Sequence, residues 1–167
     1  MDKEYSSKYY NRITTIIKMN REIKFRGKSQ EDNSFVYGSY VYSNDSKNNP
    51  FRYEYKEKHQ ILTYFPGDWN MGGYEYVDVD PNTVGQYIGL KDKSGVEIYE
   101  GDIVDVWSQG SHITDGIIKW GDGRCGFFIG NATNSMVWNL SGDQHGCDTL
   151  KVIGNIYDNP ELIGGAK

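Results

Sequence analysis

Four side chains able to bind a metal crowd one short stretch: Asp143, His145, Cys147 and Asp148. Thiolate, imidazole and carboxylate are all zinc ligands, and Cys125 could approach the same loop with a second sulfur. The spacing contains none of the usual paired cysteines or histidines, and only one sulfur lies in the loop itself. Turn residues around a small buried thiol account for the stretch without a metal. The sequence is therefore read as having no metal site and no cofactor, and it leaves open whether Cys125, His145 and Cys147 meet in space.

Nucleophilic catalysis needs a base oriented beside a nucleophile. His59, His112 and His145 fall in separate stretches, with no such motif around any of them. Asp78, Asp80, Asp102 and Asp105 offer paired carboxylates for acid–base or metal chemistry. They are better explained as acceptors at turns and strand ends. Glycine is plentiful, at 20 residues, yet no Walker or dinucleotide pattern leads into a helix. No catalytic residue is assigned, and the chain is read as a non-enzyme.

Binding rather than chemistry is the better use of the remaining side chains. Trp107, His112, Trp120 and Trp138 are the expected lining of a partner-binding cleft, although a core role suits at least two of the tryptophans. Tyr37, Tyr40, Tyr42, Tyr53, Tyr55, Tyr64, Tyr74 and Tyr76 crowd the first half of the chain. Cross-strand aromatic pairing explains some of them. A small β region cannot bury them all, and Tyr and Trp are enriched at interfaces. Tyr37, Tyr40, Tyr42, Tyr53 and Tyr55 are the expected oligomer interface.

These residues need strands to position them. Arg21 to Arg26 alternates charged and apolar residues, with Ile23 and Phe25 on one face, as in a half-buried strand. Arg21, Lys24, Arg26 and Lys28 are read as the solvent side of an edge strand. Strands are expected at 35–42, with a bulge at Gly38, and at 51–55, 60–65 and 75–79. Asp80-Pro81 predicts an Asx-turn, and residues 84–90, broken by Gly85 and Gly89, predict one helical turn or a tight loop. Lys91 to Gly95 reads as a hairpin loop, followed by short strands at 96–99, 103–107, 116–120, 126–129, 136–140 and 150–157, closed by Asn159-Pro160. The expected fold is mainly β, with few short helical turns: a tyrosine-rich β region over 21–79 and an SH3-like small barrel over 80–167. Residues 1–20 read as an extension, and Met19 reads as an alternative start.

The run D-P-N-T-V-G-Q-Y-I-G-L-K-D-K-S-G-V-E-I-Y-E-G-D-I-V, Asp80 to Val104, resembles the signature of the YopX family of phage and prophage proteins. R-E-I-K-F-R-G from Arg21 resembles the family's opening, and V-I-G-N-I-Y-D-N-P-E-L-I from Val152 to Ile163 resembles its close. The resemblance implies a mainly β protein encoded in phage or prophage genomes, and it brings no catalytic residues with it. The G-D-x-V-x-V stretch at Gly101 also resembles RNA-binding barrels of the KOW type. There the following loop is basic, whereas Ser108 to Asp115 carries no Lys or Arg.

Composition narrows the classes further. The net charge is −5, which gives no surplus of cations for phosphate neutralisation. Aromatics at 14% support a globular chain despite a hydrophobic fraction of 37%. Two cysteines do not make a secreted disulfide scaffold. No apolar run approaches a membrane span, and the N-terminus lacks a signal-peptide pattern. The expectation is a protein of the bacterial host's cytoplasm. It is read as a homo-oligomeric protein-interaction module, with its own copies and a phage or host protein as partners. The alternative is a nucleic-acid-associated SH3-like barrel.

Overall fold

The structure is a computed structural model and describes residues 22–44, 57–67, 72–108, 110–121, 125–131, 135–140 and 150–163. Among these, six strands form one antiparallel sheet: β1 (Phe25–Lys28), β2 (Phe35–Asn44), β3 (Glu57–Phe65), β4 (Gly73–Asp78), β5 (Gly85–Lys91) and β6 (Glu97–Tyr99), in the order β4-β3-β2-β1-β5-β6. Five more form a second sheet: β7 (Asp102–Ser108), β8 (Ser111–Gly121), β9 (Gly126–Gly130), β10 (Met136–Asn139) and β11 (Leu150–Asn155), in the order β10-β9-β8-β7-β11. The mainly β expectation holds. In the described residues the second sheet is an open ladder, with β10 and β11 at its two ends.

The core explains how the sheets associate. Ile88 and Ile98, on β5 and β6, pack with Val104, Val106, Ile118, Ile129 and Leu150 of the second sheet. β5 and β6 therefore pair by backbone with the first sheet and bury side chains with the second. Removing these β-branched and leucine side chains from water is the main favourable contribution to the fold, about 1.5–3 kcal/mol for each. Asp92 ties the β5–β6 turn to the far strand. It accepts from Ser94 N at 2.7 Å and Val96 N at 2.9 Å on one oxygen, and from Val152 N at 3.0 Å on the other.

The structure corrects several expectations. β1 is a central strand between β2 and β5, not an edge, and Arg26 and Lys28 are buried rather than solvent-facing. Ile23, expected on the buried face, is 50% exposed. Gly38 is no bulge: β2 runs unbroken through it, and a Cβ there would sit 2.1 Å from the Leu62 carbonyl oxygen. Residues 85–91 are a strand rather than a helical turn, because β1 and β6 supply hydrogen-bonding partners on both sides. The helical turn is confined to Pro81–Thr83, where Asp80 accepts from Asn82 N as its Asx-turn predicts. β11 stops at Asn155, and Pro160 opens a short 3-10 turn, Pro160–Leu162.

Candidate functional site

Residues 108–115, expected as a loop, are mostly strand: β7 runs to Ser108 and β8 begins at Ser111. The register of this hairpin builds a small polar site. Asp105 lies opposite Asp115, Val106 opposite Thr114, and Trp107 opposite His112, so β8 holds one extra residue, Ile113. In a regular strand His112 and Asp115, three apart, point to opposite faces. The bulge at Ile113 removes that difference and re-aims His112. Asp105, Trp107, His112 and Asp115 thereby share the face opposite the buried Val104 and Val106.

The contacts on that face are short. His112 Nε2 lies 3.1 Å from Asp115 Oδ1 and 3.2 Å from Asp105 Oδ1. Trp107 Nε1 donates to Asp105 Oδ2 at 2.6 Å, and the two rings meet edge to face with centroids 5.8 Å apart. Lys93 reaches over the Trp107 ring at 5.8 Å. Asp105 Oδ1 is shielded from solvent yet accepts no well-aligned hydrogen bond. A ligand atom from each of Asp105, His112 and Asp115 lies within 4.8 Å of the others, close enough for one cation.

Of the four residues expected to line one cleft, the structure brings two together. Trp107 and His112 share the hairpin tip. Trp120 sits eight residues further along β8, roughly 26 Å away at the usual strand rise, and packs on Phe127 at 5.0 Å. The side chain of Trp138 lies outside the described residues. Asp115 was missed because its stretch read as a loop. The signal that could have found it is Gly110, which marks a tight turn and so a register.

The tyrosines divide between two faces of the first sheet. Tyr37 stands on one face with Arg26, to which it is directly paired. Tyr40 and Tyr42 stand on the other with His59, and the Tyr40 hydroxyl is 2.5 Å from His59 Nδ1. Tyr37 and Tyr42 are exposed and Tyr40 is half-buried. Tyr53 and Tyr55 lie outside the described residues, as do Asp143, His145, Cys147 and Asp148. Cys125 is exposed. A further open aromatic group lies elsewhere: Tyr64, Tyr74 and Tyr76 are 54%, 75% and 58% exposed on the Tyr37 face of β3 and β4. Tyr64 and Tyr74 pack edge to face at 5.4 Å.

A third cluster lies between the sheets. The Arg26 guanidinium donates to Asp102 Oδ1 at 2.5 Å and lies 4.6 Å from the Phe35 ring and 5.0 Å from the Tyr99 ring. Asp102 Oδ2 accepts from Tyr99 N at 2.7 Å. Lys28 pairs with Asp158, and Lys24 with Glu97 at 2.6 Å. Burial pushes the Asp102 carboxyl above its ordinary range, against the opposing pull of Arg26. Burial, then the hydrogen bond to Glu97, pushes the Tyr99 phenol up. The buried Arg26 Nε has no hydrogen-bond partner among the described residues, but the Arg26–Asp102 pair fastens one sheet to the other.

The fastened residues come from three separate stretches: Arg26 and Lys28, Tyr99 and Asp102, and Asp158. The profile of the YopX protein family matches residues 24–164, which holds all of them. Protein EF1440 from Enterococcus faecalis, a solved structure, superposes with a TM-score of 0.51 at 25% identity, over 86% of this chain and 99% of that one. No curated protein matches the chain. With most of its length matched, and the matched stretches converging on one buried cluster, the chain belongs to the YopX family.

Proposed function

We propose that this chain is a phage- or prophage-encoded, non-enzymatic module that works by protein association, first of all with its own copies. The observation carrying this reading is the aromatic patch of Tyr64, Tyr74 and Tyr76 beside the outer edge of β4. Among the described residues no strand pairs with that edge. An open edge flanked by large aromatic side chains favours addition of a further strand. A second copy fits. Two β4 strands laid antiparallel about a twofold axis perpendicular to the sheet put both sets of tyrosines on one face. A phage or host protein could use the same edge.

Other features agree with the reading. Among the described residues, His59 and His112 hydrogen-bond to Tyr40 and Asp115, and neither bonds to a serine, threonine or cysteine. Two of the four cations considered for a basic face, Arg26 and Lys28, are buried in ion pairs, which weakens the nucleic-acid alternative. No helix among the described residues is long and apolar enough to cross a membrane. Closure of the five-stranded sheet into an SH3-like barrel, a split at residue 79 and residence in the bacterial cytoplasm belong to the same proposal. Light scattering across a dilution series is the test. The expected mass is a multiple of 19.1 kDa, and a single-chain mass at every concentration would overturn it.

A further inference from the structure

We infer that Asp105, His112 and Asp115 bind one divalent transition-metal ion at the tip of the β7–β8 hairpin. Three independent features of the hairpin lead there. First, Asp105 and Asp115 are direct cross-strand partners. Like charges so placed repel and destabilise a sheet. Lys151 on β11 is Asp105's other cross-strand partner, but among the described residues no lysine or arginine comes within ion-pairing distance of either carboxylate, and the nitrogen between them belongs to His112. Second, Asp105 Oδ1 faces that nitrogen, is closed off from water, and accepts no well-aligned hydrogen bond. A buried carboxylate oxygen in that condition carries a desolvation cost that a cation would remove. Third, the bulge at Ile113 is what turns His112 onto the carboxylate face. Bulges are enriched where a side chain must be re-aimed at a site.

The donor set points to the kind of ion, and the spacing admits one. Ligands around a tetrahedral zinc, at about 2.0–2.2 Å from the metal, stand roughly 3.3 Å apart. His112 Nε2 stands 3.1 and 3.2 Å from the two carboxylate oxygens. One imidazole with two carboxylates suits zinc or a neighbouring transition metal, whereas magnesium and calcium prefer oxygen alone. The Trp107 N–H bond to Asp105 Oδ2 fixes the orientation of that carboxylate, as hydrogen bonds to metal ligands commonly do. His112 and Asp115 are each about half exposed, which leaves room for water to complete the coordination.

Calorimetric titration of the chelator-treated full chain with zinc chloride tests the site, with magnesium chloride as the second arm. The expected result is one zinc per chain and much weaker magnesium binding. Replacing Trp107→Phe should weaken zinc binding about tenfold, and His112→Ala or Asp115→Asn should weaken it further. The circular dichroism should stay unchanged, since these side chains lie off the core. A combined Cys125→Ser, His145→Ala, Cys147→Ser variant should bind zinc like the parent. No saturable zinc binding, binding that survives His112→Ala, binding lost with the cysteines, or magnesium held as tightly as zinc would each overturn the assignment.

Discussion

The guanidinium of Arg26 lies between the Phe35 and Tyr99 rings with its nearest nitrogen 2.5 Å from Asp102. Truncating it leaves the Asp102 carboxylate buried without its cation. We expect Arg26→Met to lower unfolding free energy by about 3–5 kcal/mol, read by urea denaturation. Adding Asp102→Asn should recover much of the loss, since asparagine still accepts from Tyr99 N; no recovery would mean that lost ring packing dominates. The peripheral pairs titrate. The hydrogen bond from Lys28, then that from Asn155, holds Asp158 below the usual carboxylate range, and the bond from Lys24 does the same for Glu97. A depressed folded pKa means stability that is complete above the unfolded values, about 3.9 and 4.3, and is lost as pH falls through the folded ones. Asp102, raised by burial, works in the opposite sense. The slope is therefore best read as a difference. An Asp158→Asn, Glu97→Gln variant should show a shallower fall in melting temperature below about pH 4 than the parent, and identical slopes would remove these pairs from the account.

At the scale of elements, the junction of β6 and β7 is a constrained turn. Gly101 has φ +85° there, and a Cβ would meet the Tyr157 ring at 3.2 Å. Its N–H donates to Ile118 O and its carbonyl accepts from Ile156 N, so neighbouring strands hold the turn in place. Gly101→Ala should cost about 1–3 kcal/mol in a thermal or urea melt; an unchanged midpoint would show that the turn can relax. Strands on either side were largely legible, because Val96 to Trp107 alternates β-branched and aromatic residues around a single glycine. β5 was not, because Gly85 and Gly89 interrupt its apolar residues. Only the flanking β1 and β6 make that segment a strand, and those pairings lie far away or across a turn in sequence. The hairpin site was half legible. Trp107 and His112 drew attention as residue types, while the Ile113 bulge that joins His112 to Asp115 is a property of register.

Across the whole molecule, the two sheets are joined by the apolar cluster of Ile88 and Ile98 with the second sheet, by the charged cluster around Arg26 and Asp102, and by the Asp92 carboxylate. Among the described residues of the first sheet, Tyr64, Tyr74 and Tyr76 stand exposed at its far end, on β3 and β4. If that end is where copies meet, a Tyr74→Ser, Tyr76→Ser variant should scatter as a single chain at concentrations where the parent is larger, with its circular dichroism intact. A variant that assembles like the parent would move the contact elsewhere.

The sequence by itself determined the class of fold, most strand positions, the Asx-turn at Asp80 and the family, because each is written in short-range alternation, turn chemistry or contiguous motif. Tertiary structure alone decided the fate of the cations. Lys24, Arg26 and Lys28 alternate as a solvent face does, yet Lys24 is half-buried and Arg26 and Lys28 are buried, and they pair with Glu97, Asp102 and Asp158, more than 70 residues away. Local periodicity records that a side chain points to one side of a strand. Whether water or an opposite charge waits there depends on which distant segment packs against it.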